Sequence, residues 1–170
     1  MNNNDIMNFN SKFIRSYTLC PHGVRNTVTD EIVTRNEATI LETVTNTYVI
    51  EGNITVENAN EIIVSADKIL DGKNSKKSDY RPHHMREGGF INIRRDEIIS
   101  QKICSNGVYD NTTENKQVIT NDFAMVLETQ SKTYVINTYL VNITNSKFVQ
   151  LPLPNIIATK PTKKADYIGL

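Results

Sequence analysis

The sequence predicts an all-β chain: an antiparallel sandwich or barrel built from two internally duplicated β units, with extended N- and C-terminal arms. Composition is the first ground. The 170 residues include 20 Ile, 13 Val and 18 Thr against 8 Leu. Branching at Cβ restricts rotamers in a helix and packs well on a pleated surface. The second ground is an internal match. Residues 32–50 read IVTRNEATILETVTNTYVI and residues 118–136 read VITNDFAMVLETQSKTYVI, with nine of 19 positions identical and no gap. The third is a period of two along residues 47–56, with Tyr48, Ile50, Ile54 and Val56 on one face, the signature of a half-buried strand.

The match extends outward in the same order. Cys20-Pro-His-Gly-Val24 faces Cys104-Ser-Asn-Gly-Val108, and Asn53-Ile-Thr55 faces Asn142-Ile-Thr144. Two copies of one β unit are therefore expected, at 13–70 and 97–150, related by a pseudo-two-fold axis. Residues 1–12 read as an N-terminal arm, 71–96 as a basic connection containing Gly and His, and 151–170 as a Pro-containing C-terminal arm.

Within each unit the first strand is 14–20 or 98–104. Residues 37–43 form a strand, 44–46 a short turn, and 47–56 the returning strand, with Gly52 marking a bulge or a close backbone approach. In the second copy the returning strand runs to 143 and changes phase after Thr138, which a bulge would repair. Residues 61–66 form a further strand ending at the Asp71-Gly72 turn signal. The connection holds seven of the 19 basic residues with His83, His84 and a flexible Gly88-Gly89 point. Pro152, Pro154 and Pro161 deny the last segment a central-strand place. Order in either arm would call for a neighbouring subunit and strand addition.

Charge and motifs exclude more than they assign. Lys plus Arg and Asp plus Glu are both 19, so the net charge is zero; a general nucleic-acid binder needs a positive excess to neutralise phosphates. No apolar run is long enough to span a membrane, and the polar start MNNND carries no apolar region of a classical signal peptide. There is no P-loop, G-x-G-x-x-G or G-x-S-x-G. Glu42 and Glu128 recur at matched positions, which favours a structural carboxylate over a catalytic one. Cys20, His22, His83, His84 and Cys104 lack the spacing of a zinc site, and no metal or cofactor is expected. Cys20 and Cys104 occupy matched positions, so they could be paired thiols, a disulfide, or two separate buried thiols.

The expected function is a non-catalytic structural subunit of an ordered assembly. A virion component (head–tail, tail or capsid-decorating protein), a spore-coat subunit or a filament subunit would each fit, located in the assembled particle and partnered by other copies or other subunits. Leu151, Leu153, Ile156, Ile157, Tyr167 and Ile168 are the expected apolar anchors. The alternative is a binding or adhesion module whose 71–97 loop, with Arg94 and Arg95, contacts a glycan, peptide or anionic ligand beside the 20–22 turn.

Overall fold

The computed structural model describes residues 5–54, 61–73, 80–137, 142–143, 147–160 and 166–170. Among them are nineteen strands and no α-helix, and every strand pair is antiparallel. The strands form several open sheets, none closed into a barrel.

The first nine are β1 (Ile6–Asn10), β2 (Ile14–Cys20), β3 (Val24–Asn26), β4 (Ile32–Thr34), β5 (Ala38–Thr43), β6 (Thr47–Glu51), β7 (Glu61–Ser65), β8 (Ile69–Lys73) and β9 (Tyr80–Pro82). The rest are β10 (Phe90–Arg94), β11 (Ile98–Cys104), β12 (Val108–Asp110), β13 (Val118–Thr120), β14 (Ala124–Thr129), β15 (Thr133–Ile136), β16 (Asn142–Ile143), β17 (Phe148–Pro152), β18 (Ile156–Lys160) and β19 (Tyr167–Gly169).

The same pairings occur in both halves. The run β2-β5-β6-β8 has its counterpart in β11-β14-β15-β18, β4-β3-β9 in β13-β12-β19, and β1-β7 in β10-β17. Registers agree as well. Ser16 lies opposite Glu42 after a bulge that follows Ile14, and Ser100 lies opposite Glu128 after one that follows Ile98. The halves join through one strand pair, β10 on β2, which merges β16-β17-β10 with β2-β5-β6-β8 into a seven-stranded sheet. A two-fold axis between the halves would pair β1 with β11 reciprocally. Instead β1 pairs only with β7 and β11 only with β14 among the described residues. The joint is head to tail, and the expected pseudo-two-fold is corrected.

Four corners build this shape. Ser11–Phe13, Ala66–Lys68, Arg95–Glu97 and Leu153–Asn155 are single 3₁₀ turns, each followed by an isoleucine whose N–H bonds the turn's first carbonyl. Such a turn lets a strand leave one sheet and enter another without abandoning its hydrogen bonds. Hence β1, β7, β10 and β17 each continue round a corner into β2, β8, β11 and β18.

The core is divided. Cys20, Val24, Ala38, Ile40, Val49 and Tyr80 pack together in the first half; Cys104, Val108, Ala124, Val126, Val135 and Tyr167 pack together in the second. A second cluster in each half lies beneath the corners, and Phe148 of the later half enters the earlier one, its ring edge-on to Tyr17 at 5.2 Å. Thin, separate cores suit a chain of 38% apolar content.

Several sequence expectations change here. Ile6–Asn10 pairs with β7, and the C-terminal segment supplies β18 and β19, paired with β15 and β12. Both described ends thus pair with strands of their own chain. Pro152 tolerates its place because it is the last residue of β17, opposite Phe90. Asp71 and Gly72 lie inside β8, not in a turn. Gly72 is there because a Cβ would come 2.5 Å from the Tyr48 ring. Residues 71–97 are not structureless, since they contain β9, β10 and two 3₁₀ turns. Gly89 is held, not hinged: a Cβ would meet the Leu19 carbonyl oxygen at 2.5 Å. The Thr138 bulge, Lys76, Lys77, Pro161 and the end of the 47–56 strand fall outside the described residues.

Candidate functional site

Two features of the surface are built from what the sequence singled out. One is a polar cleft. Gly23, at φ 100°, turns the chain from β2 into β3, and its carbonyl accepts the His83 N–H at 2.9 Å. That bond carries the segment after β9 back over the 20–22 turn. His84 follows in the left-handed region at φ 53°, and the three histidines converge. The His83 and His84 rings lie 4.0 Å apart and the His22 and His84 rings 6.3 Å apart. His22 Nε2 is 3.9 Å from a Glu87 carboxylate oxygen.

Beside them Arg25 on β3 lies directly opposite Arg81 on β9. Two like charges opposite each other are unfavourable unless an anion intervenes. Asp30 supplies one for Arg25, accepting from its guanidinium at 2.8 Å, while Arg81 is exposed. Arg86 and Glu87 complete the wall of an open cleft of about 730 Å³. Partial burial, His84, Arg25, Arg35 and Arg81 together push the His83 imidazole below its ordinary range. The matching place in the later half has Tyr109 opposite Ile168, so the cluster belongs to the first half alone.

The other feature is a pair of strands, β1 and β11, each with one edge open among the described residues. Their outward residues include Ile6, Ile99 and Ile103, all exposed. Natural sheets normally cover or charge such edges, because unpaired N–H and C=O groups recruit another strand.

The sequence-predicted residues are placed as follows. Leu151, Leu153, Ile156 and Tyr167 are buried within the chain's own clusters. Ile157 and Ile168 are half-buried. The first four are not free to anchor a neighbour, because their β17–β19 environment belongs to the body. Arg94 is structural: its Nε donates to the Ile14 carbonyl at 2.8 Å and its guanidinium lies over the Phe148 ring. Arg95 is exposed on a corner, and neither arginine lines the cleft. Cys20 and Cys104 are buried thiols in different clusters, and no disulfide joins them. Among the described residues no group of three or more His, Cys, Asp and Glu is arranged to hold a metal, and no helix is long and apolar enough to cross a membrane. Glu42 and Glu128 accept from Ser16 and Ser100, as cross-strand braces. Arg25 and the open edges went unnoticed in the sequence, and Arg81 was noted only as one of the seven basic residues of the 71–96 connection. The four isoleucines after three-residue corners were the legible signal for the edges.

No protein-family model, curated protein or solved structure matches the chain.

Proposed function

We propose that this chain is a non-catalytic structural subunit of an ordered assembly, formed by duplication of one β unit. The recurrence of the β2-β5-β6-β8, β4-β3-β9 and β1-β7 pairings in the later half supports the duplication. A single observation carries the assembly: among the described residues β1 and β11 each have one edge with no strand paired to it, and they expose Ile6, Ile99 and Ile103. A virion, spore-coat or filament component is the kind of protein that uses such edges. The contacts come from sheet edges and not from arms, since both described ends already pair within the body. Sedimentation velocity with negative-stain microscopy tests this reading. Species heavier than the 19.3 kDa chain should grow with concentration; a monomer at every concentration would overturn it.

A second reading is favoured by the histidine–arginine cleft. There the chain would act as a binding module for an anionic group, with Arg81 and the histidines as donors. Titration with inorganic phosphate, followed by NMR, should shift the His83 and His84 signals, and Arg81→Ala should abolish the shift. Absence of any shift in the wild type would discard this reading.

A further inference from the structure

Within the chain, β10 and β17 dock onto the first half through one strand pair, β10 on β2. Each half therefore has an entering edge, β1 or β10, and a receiving edge, β2 or β11. The internal joint uses β10 and β2; β1 and β11 are what remain. We propose that the chain pairs head to tail with a second copy of itself, β1 of one copy adding antiparallel to β11 of the preceding copy and repeating the β10–β2 joint. This inference rests on the assembling-subunit reading and supplies its partner.

The internal register dictates the external one. Phe90 lies opposite Leu19 and Asn92 opposite Tyr17. The matched positions put Ile6 opposite Ile103 and Asn8 opposite Gln101. Ile6 and Ile103 are each 62% exposed in the single chain, and a cross-strand aliphatic pair shields part of both. Asn8 and Gln101 bring two amides, each able to donate to the other.

A second contact agrees independently. Inside the chain Arg15 forms an ion pair with Glu97 across the joint at 3.5 Å. The matched residues at the outer joint are Ile99 and Phe13, 59% and 54% exposed. At the outer joint two hydrocarbons stand where the internal joint has two opposite charges. Either change alone would leave a charge facing a greasy side chain. Beside β1, moreover, lies a groove of about 350 Å³ lined by Met7, Phe13, Val44 and Tyr48. The residues that match Met7 and Tyr48 in the later half, Ile91 and Tyr134, line a cavity of about 260 Å³ shared with Thr18 and Ile40 of the first half.

A head-to-tail contact of this kind is heterologous. It closes a ring if the rotation between units divides a full turn and otherwise extends a filament, in either case stacking units as a repeat array does.

Two full-length variants, Ile6→Cys and Ile103→Cys, test the joint by oxidative cross-linking. The native cysteines are buried, so wild type serves as the blank. Mixed, the two variants should give a disulfide-linked pair containing one of each; alone, neither should cross-link. Ile103→Lys should weaken association more than about tenfold with an unchanged circular dichroism spectrum. A cross-link in either variant alone would mean edge pairing about a two-fold and overturn the proposal. An Ile103→Lys chain that assembles like wild type would overturn the joint but leave the assembling subunit standing. A wild type that stays monomeric would overturn both.

Discussion

Ser16 Oγ donates to a Glu42 carboxylate oxygen at 2.9 Å between β2 and β5, and Glu42 is buried. Ser100 makes the same bond to Glu128 at 3.1 Å in a half-buried setting. A buried carboxylate that loses a donor bears its desolvation uncompensated. Ser16→Ala should therefore destabilise by about 1–3 kcal/mol. Ser100→Ala should cost less, because water reaches Glu128. Urea midpoints measured at equal slope would show the difference, and equal losses would contradict it.

The turn glycines should be the least replaceable residues. At Gly23 a Cβ would lie 2.1 Å from the Thr34 carbonyl oxygen, and at Gly107 it would lie 2.1 Å from the Thr120 carbonyl oxygen, each at a positive φ. Neither neighbour is a side chain that can rotate away. Gly52 also has a positive φ but nothing within 4 Å. Gly52→Ala should cost about 1 kcal/mol, while Gly23→Ala and Gly107→Ala should each lower the melting temperature far more or prevent folding.

Alkaline stability should depend on Tyr167. Burial first, then the nearby Asp110 and Asp166 carboxylates, push its phenol up to about 12. A raised pKa favours the protonated form in the folded state. Stability is then intact below the ordinary phenol value of about 10 and falls as pH rises towards 12. Tyr167→Phe should flatten that part of the pH profile, as followed by thermal melts between pH 9 and pH 12.

His83 works in the opposite sense. Its imidazole is lowered, so the folded state resists the proton. The stability it contributes is present above its ordinary pKa and is lost as pH falls through the lowered one. Phosphate in the cleft would oppose this by favouring the imidazolium. Added phosphate should raise the His83 pKa measured by NMR, and an unmoved titration curve would argue against anion binding there.

Much of the fold was legible in the sequence. The all-β class followed from Ile, Val and Thr; the 37–43 and 47–56 strands followed from alternation around the 44–46 turn, and the second copy's hairpin from its match to the first. The ends were misread because Pro152, Pro154 and Pro161 were taken as breakers, whereas Pro152 closes a strand and Pro154 sits within a 3₁₀ corner. The isolated strands β9 and β19 were missed since three residues show no period. Of the cleft, His22, His83 and His84 were grouped only with Cys20 and Cys104 and set aside for want of zinc spacing; that the histidines converge depends on the Gly23–His83 bond, which spans sixty positions of chain.

The sequence by itself determined that two similar stretches would form similar strands, because side-chain alternation and glycine turns act over a few residues. Only the tertiary structure decided which strand of one half meets which strand of the other. That choice rests on edges, whose hydrogen bonds carry no residue code, and on contacts such as Arg15 with Glu97 that exist only once both halves have folded.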